Sequence, residues 1–240
     1  MNSSSSSGVG HDRGYGVLAA GDPEAVSRAA AALRAGEVIA IPTDTVYGLA
    51  ASLDFPAAID QLYAIKGRPP DKPIPILLGS FADLQRVATD ISAPAMALAR
   101  HFWPGALTLI VPARGSFPAV LTSTGDDGVK RIAVRIPNHS LTRSILSASG
   151  GSLAVTSANR SGQPPALDAI SVVEMALGSL GIIIDGGSSR VRQPSTVILA
   201  LTAQTLVLRE GAISSEAIHE YLATVRHPAA HVEPSVHSTV

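Results

Sequence analysis

The residues best suited to chemistry lie between positions 43 and 68. Thr43-Asp44-Thr45 supplies two hydroxyls and a carboxylate, and Lys66-Gly67-Arg68-Pro69-Pro70 supplies two cations. The glycine permits a tight backbone and the prolines forbid further helix, so Lys66 and Arg68 are displayed on a stiffened loop. Cations held this way suit an anionic ligand, and the planar guanidinium matches phosphate or carboxylate through two parallel hydrogen bonds. A solvated basic turn at a helix C-terminus, where cations complement the helix dipole, would read the same way. The theme recurs downstream. Ser157-Ala158-Asn159 and Ser195-Thr196 are polar segments at strand ends, and Arg135 and Arg209 add fixed positive charge. Arg135 sits among apolar neighbours, where an unpaired arginine is costly to bury. It is either a ligand contact or half of a structural salt bridge. In open α/β sheets ligands bind at the strand ends, so these loops can converge on one crevice.

Other chemistries are narrowed by what is missing. The chain has no cysteine, which excludes thiol nucleophiles, disulfides and cysteine-ligated zinc. It contains no P-loop, no Gly-x-Gly-x-x-Gly, no His-Glu-x-x-His and no Gly-x-Ser-x-Gly elbow. His101 beside Trp103 and His139 after Asn138 could each act as a base, although packing or capping is the commoner role. His227, His231 and His237 fall in a polar tail that reads as solvated rather than metal-binding. Net charge is −1, so no global field draws the protein onto nucleic acid or an anionic membrane. With 46% hydrophobic and only 15% charged residues, the 240-residue chain has ample material for a buried core.

These groups need elements to position them. An apolar strand at 38–41 leads through Thr43-Asp44-Thr45 into a helix at 57–65, the basic loop, and a strand ending at Leu78. A helix over 22–35 precedes them, with Asp22 as cap and Pro23 in its first turn. Helices at 81–87, 94–101, 140–148, 172–177 and 214–223 alternate with strands at 107–111, 132–136, 153–156 and 182–184. A hairpin pairs 196–201 with 205–209. The Gly/Ser/Thr/Asp-rich stretch 114–128 reads as a mobile loop. Residues 1–16 and 225–240 read as disordered tails around one domain at 17–224, an α/β (α+β) fold with a twisted mixed sheet and flanking helices. The N-terminus lacks the apolar core of a signal peptide and no run would span a bilayer, so the expected location is cytoplasmic, without membrane contact.

An ordered set of segments resembles the YrdC-like threonylcarbamoyl-AMP synthases, short form. It comprises Pro42-Thr43-Asp44-Thr45-Val46-Tyr47-Gly48-Leu49, Lys66-Gly67-Arg68-Pro69, Phe102-Trp103-Pro104-Gly105 and Ala133-Val134-Arg135-Ile136-Pro137, then Thr156-Ser157-Ala158-Asn159-Arg160-Ser161-Gly162, Asp185-Gly186-Gly187, Pro194-Ser195-Thr196-Val197 and Arg209-Glu210-Gly211-Ala212. The resemblance runs from about residue 17 to 222. It implies condensation of L-threonine, bicarbonate and ATP to threonylcarbamoyl-AMP and pyrophosphate, with Mg²⁺. The product would feed a downstream transferase that builds N6-threonylcarbamoyladenosine in tRNA. By that resemblance Lys66 and Arg68 are the catalytic pair. They bind ATP with Lys72, Asn159 and Arg209, and Thr45, Arg135, Ser157 and Ser195 hold L-threonine. The same fold could instead serve as a double-stranded RNA-binding or ribosome-assembly module, or as a paralogue acting on another small substrate. Departures from the family pattern are Lys72-Pro73-Ile74 for Asn-Pro-Leu, Leu77 where a histidine commonly contacts threonine, Ala106 after Trp-Pro-Gly, and Pro165-Ala166-Leu167 in a segment usually rich in Ser and Thr.

Overall fold

Proline and glycine set the ends of the helix that carries the basic loop. Pro56 occupies its first turn, and Gly67 closes it in the left-handed region at φ 58°, where a side chain would be strained. This computed structural model describes residues 16–178, 180–201 and 204–226. The helices are α1 (Ala25–Arg34), α2 (Pro56–Lys66), α3 (Phe81–Val87), α4 (Ala93–Phe102), α5 (Ser140–Ala148), α6 (Ala169–Glu174) and α7 (Ser215–Arg226). The strands are β1 (Gly16–Ala19), β2 (Ile39–Ile41), β3 (Gly48–Ser52), β4 (Ile76–Leu78), β5 (Leu107–Pro112), β6 (Ser123–Thr124), β7 (Lys130–Arg135), β8 (Ser152–Ser157), β9 (Ile182–Asp185), β10 (Thr196–Ala200) and β11 (Thr205–Arg209). Among the described residues no helix is long and apolar enough to cross a membrane.

All eleven strands join one mixed sheet in the order β1-β9-β2-β3-β8-β4-β7-β5-β10-β11, with β6 beside β7. Alternation along each strand assigns the faces. Ala40, Leu49 and Ala154 pack with Ile59 and Leu62 of α2. Their neighbours Ile39, Ile41, Ala50 and Val155 pack with Leu33 of α1 and with Ile145 and Leu146 of α5. In the other half of the sheet Leu107, Leu109, Ile132, Val134 and Ile198 pack with Leu84, Leu98 and Ile218 of α3, α4 and α7. The expected α/β mixed sheet is therefore observed.

Three sequence expectations are corrected. Residues 48–52 form β3, antiparallel to β2, where a turn running directly into a helix was expected. Gly-Leu-Ala-Ala-Ser has little β propensity and no alternation because both of its faces are buried, and packing decides its conformation. Residues 114–128 contain a 3₁₀ turn (Ala119–Leu121) and β6. The Tyr63 hydroxyl donates to Val120 O at 2.5 Å, and Leu121 is 0% exposed, so this segment is anchored rather than mobile. The helix expected at 172–177 occupies Ala169–Glu174, capped by the Asp168 carboxylate accepting from Ser171 N at 2.8 Å. The proposed tails lie outside the described residues, apart from Gly16 in β1 and residues 225–226 in α7.

Leu121 is the apolar anchor of the 114–128 segment. Leu121→Ala is expected to lower unfolding stability by about 2–5 kcal/mol, the range for emptying a fully buried leucine site, measured by urea denaturation.

Candidate active site

The segments singled out in the sequence converge on a cavity of about 270 Å³ at the strand ends. Register explains how. Gly48 pairs with Ser157, Leu77 pairs with Arg135, and Val197 pairs with Thr108 on one side and Arg209 on the other. Gly48, Ser157, Leu77, Arg135, Thr108 and Arg209 all line the cavity, one from each of six strands. A side chain at Gly48 would meet Val155 Cγ1 at 2.7 Å, so the approach of β3 to β8 requires glycine. Arg209 depends on an irregularity. Ile198 pairs with Val207 while Val197 pairs with Arg209, leaving Leu208 as the extra residue. The bulge turns Arg209 away from the α4/α7 core and toward the cavity.

Arg135 forms the floor. Its Nη2 donates to Asp44 Oδ1 at 2.5 Å, Nη1 to Thr45 Oγ1 at 2.8 Å and Nε to Gly105 O at 2.8 Å. The two ionic side chains are 6% and 4% exposed, so the pair is buried. A guanidinium has five N–H donors, and three are engaged here, which leaves two for a ligand. Arg135 is thus salt-bridged, and it also lines the cavity. The Thr43-Asp44-Thr45 turn is fixed in its own right. Thr43 Oγ1 donates to Val46 O at 2.6 Å, and Asp44 Oδ1 also accepts from Asn138 N at 3.1 Å.

The opposite walls carry hydroxyls and cations. Thr108 and Ser195 hydroxyls lie 2.8 Å apart, and Arg209 Nη2 donates to Ser195 O at 2.7 Å. Arg68 donates through Nε to Lys72 O at 2.7 Å and through Nη2 to Pro73 O at 3.1 Å, while lining the cavity. Burial and then the Arg68 charge push Arg209 below its usual range, and burial together with Arg209 depresses Arg135 against the opposing pull of Asp44. Lys66 is brought down to about 8 by burial and by Arg68. None of the described residues lining the cavity is a carboxylate. The cluster therefore carries uncompensated positive potential, which an anionic ligand would relieve.

Two residues expected to bind ATP lie outside the cavity lining. Lys72 is exposed and outside the cavity lining; its carbonyl, not its ammonium, takes part, by accepting from Arg68. Lys66 is only 3% exposed and donates to oxygens of Ser157 and Asn159 beneath the lining. Thr45, Arg68, Arg135, Ser157, Asn159, Ser195 and Arg209 all line the cavity. His101 stacks on Tyr221 with centroids 3.9 Å apart, and His139 caps α5 by accepting from Thr142 N at 3.4 Å, so both follow the structural reading. Asp44 as counter-ion, and Thr108, Tyr47 and Gln163 in the wall, were not anticipated. Thr108 carried one usable signal, as the lone hydroxyl in an apolar strand. Tyr47, raised to about 12 chiefly by burial, stays protonated. It donates to Gly187 O at 2.8 Å and accepts from Gly186 N at 3.0 Å, tying the β9–β10 connection to the cavity.

Residues 31–211 match the family model for Sua5, YciO and YrdC, described as telomere recombination. The chain belongs to the Sua5/YciO/YrdC family. Among its relatives, a threonylcarbamoyl-AMP synthase of Pyrococcus abyssi is 38% identical over 84% of this chain and 58% of its own length. A threonylcarbamoyl-AMP synthase of Bacillus subtilis is 35% identical over 87% of this chain and 59% of its own. The chain thus spans somewhat under three fifths of the length of these relatives. A crystal structure of P. abyssi Sua5 complexed with L-threonine superposes with a TM-score of 0.79 at 35% identity, covering 87% of this chain and 60% of that one. In this Sua5/YciO/YrdC chain Leu77 occupies the cavity wall as an apolar surface, in register with Arg135.

Asp44 without Arg135 would be a buried, unpaired carboxylate. Arg135→Ala is expected to cost about 3–5 kcal/mol of unfolding free energy in urea titrations, the range for breaking one side of a buried ion pair. Asp44→Asn, which keeps an acceptor for Asn138 N, is expected to cost less.

Proposed function

We propose that the protein is an L-threonylcarbamoyladenylate synthase, a nucleotidyltransferase that condenses L-threonine, bicarbonate and ATP to threonylcarbamoyl-AMP and pyrophosphate. The observation that carries this reading is the cavity itself: Arg68, Arg135 and Arg209 converge on a space lined by hydroxyls and by no carboxylate among the described residues. Such a site matches a ligand set that joins a carboxylate to a polyphosphate. The P. abyssi Sua5 complex with L-threonine, and the naming of both relatives as threonylcarbamoyl-AMP synthases, support the same substrates.

In this mechanism the two unused N–H groups of Arg135 hold the threonine carboxylate, with the Thr45 and Ser195 hydroxyls beside it. The threonine amine adds to bicarbonate-derived CO₂ and loses a proton, giving a carbamate that is already an oxygen nucleophile. A carbamate oxygen attacks the α-phosphorus of ATP, the bond to the bridging oxygen breaks, and pyrophosphate leaves with the electron pair. Arg68 and Arg209 flank the triphosphate and neutralise charge as it accumulates on the leaving group. Positioning and charge supply the catalysis, and no side-chain base is required. Among the described residues no group of three His, Asp or Glu is arranged to hold a metal, and the lining lacks carboxylates, so Mg²⁺ is read as arriving with ATP as its phosphate counter-ion. The product suits a cytoplasmic transferase that passes the threonylcarbamoyl group to a tRNA adenosine.

Pyrophosphate release from ATP, Mg²⁺ and bicarbonate is the direct test. Release is expected to depend on L-threonine and to fall about 10²–10³-fold in Arg68→Ala or Arg209→Ala, the scale for losing a transition-state donor. Absence of threonine-dependent release from folded protein would overturn the reading. The pH profile adds a second test. Burial and then the Arg68 charge bring folded Lys66 down to about 8 from its ordinary 10.5. Below 8 both states are protonated, and between 8 and 10.5 the unfolded chain binds more protons, so this group's contribution to stability rises with pH. Activity is expected to fall above about pH 8 while unfolding measurements show no loss attributable to this group.

A further inference from the structure

We infer that Lys66 is a positioning residue that clasps the Ser157-Ala158-Asn159 loop, and that it makes no contact with ATP phosphates. The assignment concerns the same site and rests on the synthase reading for its kinetic arm only. Lys66 Nζ lies 2.6 Å from Ser157 O, 3.3 Å from Ser157 Oγ, 2.9 Å from Asn159 O and 2.6 Å from Asn159 Oδ1. An ammonium has three N–H donors, so four acceptors already exceed its capacity and no donor is left for a phosphate oxygen. The residue is 3% exposed and does not line the cavity, whereas Arg68, two positions on, does. The end of α2 reinforces the contact, because Lys66 O accepts from Ser161 N at 2.7 Å.

The clasp determines what the loop presents. Asn159 Oδ1 accepts from both Lys66 and the Ser157 hydroxyl, the latter at 2.7 Å, while Asn159 Nδ2 donates to Gln163 O. The amide therefore has one orientation, with a single N–H left over. The Ser157 proton points to Asn159, so Ser157 Oγ faces the cavity as an acceptor. That suits an N–H of the amino acid or its carbamate and disfavours another anionic oxygen. A buried cation without a carboxylate partner is thus held by four dipoles, and the geometry of two substrate-facing groups depends on its charge.

The test compares Lys66→Met, which fills the same volume without donors, with Lys66→Gln, which keeps two N–H donors but no charge. Backbone hydrogen exchange over 158–163 and steady-state pyrophosphate release are measured for each. The clasp predicts faster exchange over 158–163 in Lys66→Met, with the central sheet unchanged. It also predicts a fall of about a hundredfold in kcat/KM for ATP and for L-threonine alike, the scale expected when reacting groups are misplaced by an ångström. Lys66→Gln should keep part of the protection and lose only about tenfold, because it restores some of the hydrogen bonds. Unchanged exchange, with a raised KM for ATP alone and Lys66→Gln as impaired as Lys66→Met, would overturn the inference in favour of a phosphate contact. If Lys66→Met does not fold, Lys66→Gln against wild type decides on the same two readouts: protection lost and both substrates affected, or protection intact and ATP alone affected. The exchange arm needs no turnover, so a wild-type protein inactive with threonine would overturn the synthase reading and still leave the clasp decided.

Discussion

The buried ion pair between Arg135 and Asp44 is the constraint on which the site depends. Arg135 comes from β7 in the middle of the sheet and Asp44 from the turn between β2 and β3, so the pair ties two strands that are not neighbours. Burial makes each charge intolerable without the other, and hydrogen bonds from Arg135 to Thr45 Oγ1 and Gly105 O and from Asn138 N to Asp44 complete their coordination. The turn is then held from above by the β9–β10 connection, where Ser189 Oγ donates to Thr43 O at 3.0 Å and Val191 N to Asp44 O at 2.9 Å. All three nitrogens of the guanidinium are engaged, and the same side chain lines the cavity.

The remaining cations are arranged less stably, and that instability is useful. Arg68 is held through carbonyls of its own loop, and Arg209 through Ser195, with no carboxylate beside either among the described hydrogen-bond partners. Burial first, and then repulsion from Arg68, depresses the ionisation of Arg209 and of Lys66. A fold that keeps cations together without counter-ions accepts a stability cost in the free protein, and an anionic ligand relieves it. Lys66 belongs to the same cluster by charge but is oriented inward, where it organises the loop instead of facing the cavity.

Much of this was legible in the chain because strand ends and turn chemistry leave local traces. Apolar runs at 38–41 and 153–156 became strands, and the polar segments after them, with Thr43, Thr45, Ser157 and Asn159, became cavity walls. β3 was missed because a strand buried on both faces and built from Gly, Leu, Ala and Ser carries neither alternation nor propensity. The 114–128 segment has the composition of a loop, while buried Leu121, the Tyr63 contact to Val120 O and the pairing of β6 with β7 hold it in place.

By itself the sequence determined the family, the α/β class, the polar segments that form the site and the identity of its cations. Those properties follow from residue type and local order, which need no partner. Tertiary structure alone decided how each cation is used. Arg135 lines the cavity while paired with Asp44; Arg209 faces the cavity because a bulge adds one residue to β11; Lys72 stays outside; Lys66 is turned inward onto Ser157 and Asn159. The physical reason is common to Arg135, Arg209 and Lys66. A charged side chain goes where its hydrogen-bonding capacity is met, and for these residues most of the acceptors that meet it lie on segments distant in sequence.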